Sequence, residues 1–161
     1  MTIARLNHVS VPAPDLDESV RFYTELFGME VLPAPDFGYP LRWLRVGDLQ
    51  LHLFPRPEPR TSAHFALEVD DFDALYERAK EMGILDDHTH RHHLWELQSG
   101  EVQLYLRDPA GNLIEVVWPD ARSLAPETVA DMRKRESDRP RSAANLEATL
   151  FLTPQAAWSA P

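Results

Sequence analysis

The chain has 161 residues, 43% of them hydrophobic, with no cysteine and a formal net charge of −10 at pH 7. That length fits one domain, or one domain with an appendage, and the apolar share is enough for a sizeable core. The acidic balance argues against a nucleic-acid partner and an anionic membrane surface, and the lack of cysteine excludes disulfides, thiolate metal sites and a cysteine nucleophile.

No apolar run approaches the roughly 20 residues of a transmembrane helix. Arg5, Asn7 and His8 interrupt any leader-like run at the N-terminus, so the expectation is a cytoplasmic protein with no membrane partner. Residues 5–12 alternate as a strand does and stop at Pro12 and Pro14. Asp15 is placed to cap a helix, with Glu18 three positions on. Leu16, Val20, Tyr23, Leu26 and Phe27 recur at helical spacing up to Gly28. Met29–Leu32 reads as a strand. Leu41–Val46 and Leu49–Phe54 predict a hairpin around Gly47-Asp48. The run 55–61, rich in proline, is a stiff polar linker.

A second copy follows. Residues 63–69 form a strand, and a helix spans about 71–82 with Phe72, Leu75, Tyr76, Ala79 and Met82 on one face. The stretch 84–98 carries no clear period. Val102–Arg107 and Asn112–Trp118 are strands joined by the turn Asp108-Pro109-Ala110-Gly111. Past Asp120, Pro126 opens a helix expected to reach about Glu136. Asn145–Leu152 is apolar again, and Trp158 lies near the end. The fold class expected is α+β: two repeated β-α-β-β-β modules with mostly antiparallel sheets, at 1–56 and 57–120, and a C-terminal extension at 121–161. The extension is expected to pack on its own modules or on a second subunit, since Leu146, Leu150 and Phe151 are costly to leave in water.

Repetition is the strongest signal in the chain. Asn7-His8-Val9-Ser10-Val11 matches Ala63-His64-Phe65-Ala66-Leu67, and Leu51-His52-Leu53-Phe54-Pro55 matches Ile114-Glu115-Val116-Val117-Trp118-Pro119. A pseudo-twofold relating the copies would bring His8, His64, His52 and Glu115 toward one axis. Imidazoles and a carboxylate together suit a divalent first-row metal. A lone strand histidine is more often structural, but its recurrence at the matching point is hard to explain by packing. Glu115 sits in an apolar strand, where a carboxylate without a partner is costly; the simpler reading has it face solvent from an alternating strand. His8, His64 and Glu115 are thus the candidate metal ligands. His52 is a fourth ligand, an outer donor, a general base or inert. Tyr105 stands on the strand next to Glu115 and is either a catalytic group or a packed tyrosine with its hydroxyl satisfied. His88, His90, His92 and His93 read most simply as an exposed loop, and otherwise as a second metal site or an acid/base source. Arg122 is a candidate clamp for an anionic substrate, or a plain surface arginine.

Together Leu6–Val11, Phe22–Met29, His64–Val69 and Leu106–Glu115 resemble the vicinal oxygen chelate superfamily. Its members include glyoxalase I, extradiol ring-cleaving dioxygenases, fosfomycin-resistance thiol transferases and bleomycin-binding proteins. The resemblance covers about residues 4–119. It implies a cup-shaped sheet around one divalent metal ion (Fe(II), Mn(II), Ni(II) or Zn(II)), with His8, His64 and Glu115 at the family's ligand positions. His52 falls where glyoxalase I commonly has a carboxylate, a departure from that member. A ring-cleaving mechanism needs a histidine acid/base, for which His92 or His93 is the candidate. The implied function is a metal-dependent enzyme, dioxygenase or glyoxalase-like lyase, acting on a small molecule that chelates the metal through adjacent oxygens. A non-catalytic drug-binding protein of the bleomycin-resistance type, a thiol transferase of the fosfomycin-resistance type and a fold whose site has fallen out of use are the other readings. A homodimer is expected.

Overall fold

The computed structural model describes residues 6–35, 38–57, 62–134 and 142–151. The chain divides into two compact units. Unit 1 holds residues 1–63 and 107–112, and unit 2 holds 64–106 and 113–161. Part of the linker and Leu152, Pro154 and Trp158 lie outside the described residues.

Unit 1 runs β1 (His8–Pro12), α1 (Leu16–Phe27), β2 (Glu30–Leu32), β3 (Arg42–Val46) and β4 (Leu49–Phe54). Asp15 caps α1 by accepting from the Glu18 N–H, and Gly28 ends it with a left-handed φ of 63°. The four strands form one open sheet in the order β1-β4-β3-β2. β3 and β4 are the expected hairpin, with Val46 opposite Leu49 across Gly47-Asp48. β1 runs parallel to β4, which the long crossover through α1 permits. The turn 107–112 belongs to this unit. Asp108, almost fully buried, accepts from the Tyr23 hydroxyl at 2.8 Å, and Asn112 Nδ2 donates to the Pro12 carbonyl at 2.8 Å.

Unit 2 repeats the plan as β5 (His64–Glu68), α2 (Phe72–Met82), β6 (Leu94–Glu96), β7 (Val102–Arg107) and β8 (Leu113–Trp118). Asp71 caps α2 through the Ala74 N–H, and Gly83 ends it. The sheet order is β5-β8-β7-β6-β9, where β9 is Arg133–Lys134. β5 is parallel to β8, so both sheets are mixed rather than purely antiparallel. β8 is buried on both faces from Leu113 to Val117.

The extension differs from its expected form. Its helix α3 (Pro126–Asp131) stops before Glu136, because Met132 turns extended and Arg133–Lys134 pairs with β6. α3 lies on α2: the Asp73 carboxylate accepts from the Ala125 N–H at 3.0 Å and from the Thr128 hydroxyl at 2.6 Å. Farther on, α4 (Ala143–Glu147) leads to Thr149 and Leu150, both of which donate to the Glu101 carboxylate. This part of the extension docks on its own module.

Candidate functional site

Sheet register explains which side chains meet. In unit 1, Ser10 on β1 pairs with His52 on β4, and His8 with Gln50. In unit 2, Ala66 on β5 pairs with Glu115 on β8, and His64 with Leu113. His52 and Glu115 are therefore equivalent in the two modules, as are His8 and His64. The duplication read from sequence holds at these strand positions.

In unit 1, three rings stack. His52 lies with its centroid 4.2 Å from His8 and 4.4 Å from Trp43, the planes within 13° and 8°. Gln50 Oε1 sits 2.8 Å from His52 Nε2, and Asn7 Oδ1 sits 2.9 Å from His8 Nδ1. Burial pulls the His52 imidazole below its ordinary pKa, and the neighbouring His8 adds to that. A neutral imidazole keeps a lone pair, which a ligand or base needs. Beside the stack opens a cleft of about 550 Å³ lined by Tyr39, Leu41, Trp43, His52, Phe54 and Arg56.

In unit 2, Glu115 is 4% exposed, so it does not face solvent. Its Oε2 lies 2.9 Å from His64 Nε2, and its Oε1 accepts from Gln103 Nε2 at 2.8 Å. A buried carboxylate with two such partners is satisfied and held in one orientation. Tyr105, also buried, packs edge-on to His64 at 6.0 Å and lies 4.3 Å from the ring of His90. Glu115, His64, Tyr105, Gln103 and His90 thus form one polar group in this module, buried at Glu115 and Tyr105 and open at His64.

His92 and His93 take another place. Each approaches Asp87 Oδ1, at 3.6 and 2.7 Å. His93 Nε2 is 3.1 Å from the Tyr76 hydroxyl, and His92 Nε2 is 2.8 Å from the Asp131 carbonyl. Burial lowers the His92 pKa, against the opposing pull of the Asp131 carbonyl. Arg122 is 90% exposed and forked onto Asp120, with contacts of 2.9 and 3.0 Å. It borders a cleft of about 360 Å³ that Lys134 and Glu96 also line.

Trp43 and Gln103 were not singled out by the sequence, and His90 was named only as one of the histidines of the 88–93 cluster. Counting back from the Gly47-Asp48 turn pairs Trp43 with His52, so that contact was readable. Gln103 shares a strand face with Tyr105 by simple alternation. Nothing in the sequence set His90 apart from its neighbouring histidines or placed it against Tyr105, because the loop it occupies has no period.

These features define a class: a duplicated β-α-β-β-β protein whose matching strand positions carry imidazole or carboxylate. The chain belongs to the Glyoxalase/Bleomycin resistance protein/Dioxygenase superfamily, whose model matches residues 5–116. It is 26% identical over 138 residues to Glyoxylase I 4 of Arabidopsis thaliana, covering 77% of this chain and 76% of that one. It is 27% identical over 121 residues to the glutathione transferase FosA of Serratia marcescens, covering 69% and 78%. Among solved structures, the oxidase ChaP-H2 aligns with a TM-score of 0.59 at 29% identity, over 75% of this chain and 98% of its own.

Proposed function

We propose that the protein is a metal-dependent enzyme of this superfamily, acting on a small molecule with two adjacent oxygens. The observation that carries the reading is Glu115, buried in β8 with its carboxylate against His64. An imidazole and a carboxylate already in contact suit a divalent cation of the Fe(II), Mn(II), Ni(II) or Zn(II) type. His8 holds in unit 1 the strand position that His64 holds in unit 2, and is the third ligand that the family resemblance implies. A cation held there supplies Lewis acidity toward the oxygens of a chelating substrate.

The chain's own residues supply the rest. Gln103 fixes the orientation of Glu115, as an outer partner does for a metal-binding carboxylate. The Tyr105 ring packs edge-on against His64 and the His90 imidazole lies against Tyr105, so a proton has two candidate carriers within the module. His52, depressed in pKa, is a base or a fourth ligand. Arg122 is placed at the surface, where it serves an anionic substrate only by leaving Asp120. His92 and His93, engaged with Asp87, are the less favoured acid/base pair. Which reaction follows is set by metal and substrate: ring cleavage, a proton shift or thiol addition.

Metal analysis of protein purified without chelators tests this. Wild type is expected to hold a cation that Glu115→Gln and His64→Ala each lose. Full occupancy of this site in His64→Ala would sink the reading. His52→Ala separates the members: loss of metal marks a fourth ligand, as in glyoxalase-like chemistry, whereas retention leaves an open three-ligand face.

A second reading has one specific support. The unit 1 cleft, lined by Trp43, Tyr39 and Phe54 with Arg56 at its edge, suits an aromatic or anionic small molecule held without metal. That is the sequestering, drug-binding form of the fold. Ligand binding unchanged in the Glu115→Gln variant would favour it.

A further inference from the structure

The loop between α2 and β6 holds a group of side chains that the proposed reaction does not need. One ligating atom from each of Asp87, His92 and His93 lies within 4.8 Å of the other two. We propose that these three residues form a second divalent-metal site, zinc-binding in character and independent of the His64–Glu115 pair.

Hydrogen-bond partners on the far side of each ring fix where the protons are. The Asp131 carbonyl can only accept, so His92 must donate to it from Nε2. A neutral His92 then turns its Nδ1 lone pair toward Asp87 Oδ1, 3.6 Å away. His93 is fixed the same way. The Tyr76 hydroxyl gives its one proton to Asp131 Oδ2 at 3.0 Å. Its oxygen is left to accept from His93 Nε2, at 3.1 Å. The Nδ1 atom of His93 then also points at Asp87 Oδ1, at 2.7 Å.

Two imidazole lone pairs and a carboxylate oxygen therefore converge. A proton on His93 Nδ1 answers the 2.7 Å approach, and the His93 main-chain N–H also donates to Asp87 Oδ1 at 3.2 Å. His92 Nδ1, at 3.6 Å, makes no hydrogen bond there. A divalent cation would engage all three ligand atoms at once, where a proton joins only two. The spacing suits it: ligands about 2.05 Å from a tetrahedral zinc lie about 3.3 Å from one another. The observed 2.7 and 3.6 Å bracket that value. Two nitrogens and one oxygen suit zinc. Asp87, 57% exposed, leaves the fourth position open to water.

Each ring has an outer hydrogen-bond partner. Tyr76 and the Asp131 carbonyl orient the two rings from behind, as hydrogen-bonded partners of metal-binding histidines do. Tyr76 belongs to α2 and Asp131 ends α3, so the cation would tie the loop to both helices. The backbone is prepared for the turn. Asp86 accepts from the His88 and Thr89 N–H groups at 3.2 and 2.7 Å, and Arg91 takes a left-handed φ of 65°. His90 lies within this clamped loop with its ring against Tyr105. A cation here would fix the imidazole nearest the buried Tyr105.

The test uses untagged, full-length Glu115→Gln protein, stripped of metal and titrated with zinc by calorimetry. One zinc per chain is expected, with proton release on binding. Cobalt(II) substituted for zinc should give tetrahedral visible absorption bands. Adding Asp87→Asn, a change at an exposed position, should weaken binding by more than about 100-fold. Tyr76→Phe, removing an outer partner, should weaken it about 10–100-fold. Zinc bound equally well by Glu115→Gln/Asp87→Asn/His92→Gln, with an unchanged cobalt spectrum, would overturn the proposal. So would a folded Glu115→Gln protein that binds no zinc. The wild-type chain separates this site from the proposed catalytic one: failure of the latter lowers its stoichiometry from two to one and leaves this result intact.

Discussion

At the scale of single residues, Tyr105 and Glu115 show how one strand neighbour acts on another. Glu115 is held by His64 and Gln103, while Tyr105 meets His64 edge-on, ring to ring. Those two partners of the carboxylate are side chains other than the tyrosine. Tyr105→Phe is expected to keep the metal at that site and to lower turnover, since hydrogen-bonding and acid–base groups of this kind typically contribute about 10²–10⁴ in rate. Steady-state kinetics with an identified substrate, beside metal content, checks both halves. Turnover equal to wild type would remove Tyr105 from the reaction. The residue pattern made Glu115 conspicuous because a carboxylate in Leu113–Val117 has few reasons to be there. It left open which way the carboxylate faced. Alternation predicts a solvent face for every second residue, but β8 is covered on both sides, and only tertiary packing decides that.

At the scale of elements, the helices and the hairpin were legible because their ends are written in local chemistry. Asp15 and Asp71 cap, Gly28 and Gly83 take left-handed conformations, and Gly47-Asp48 sets the register that puts Trp43 on His52. The loop 84–93 was not legible. Its path is set by Asp86 holding two N–H groups and by a left-handed arginine, neither of which leaves a periodic trace. β9 was invisible for a related reason: Arg133 and Lys134 have no strand preference and are drawn extended only by pairing with β6. The turn Asp108–Asn112 was recognised as a turn, but its larger role lies in the Tyr23 hydroxyl it receives. Burial, and then the Asp108 charge, push the Tyr23 phenol well above its ordinary pKa, so it remains a donor at any working pH. Tyr23→Phe takes one donor from a buried carboxylate. A loss of about 1.5–3 kcal/mol in urea unfolding is expected, the usual range for a bond to a charged group. An unchanged midpoint would mean that Asn112 alone satisfies Asp108.

At the scale of the whole molecule, the question is what covers the remaining apolar surface. Thr149 and Leu150 anchor the extension to Glu101 through hydroxyl and main chain. Leu146 and Leu150 stay 45% and 37% exposed on that anchored segment. Fixing apolar side chains in water costs ordering entropy and recovers no burial. A second copy burying them would recover it. The chain is accordingly expected to sediment as a homodimer at micromolar concentration. With a net charge of −10 on each chain, long-range repulsion opposes association, so the dimer should tighten as salt rises toward 0.15 M and screening shortens to about 8 Å. Leu146→Asp/Leu150→Asp adds two further carboxylates to the same segment and should shift the protein to monomer, with Glu101 still holding the main chain at Leu150. Monomeric wild type under these conditions would refute the dimer. A dimer untouched by the double change would move its interface elsewhere.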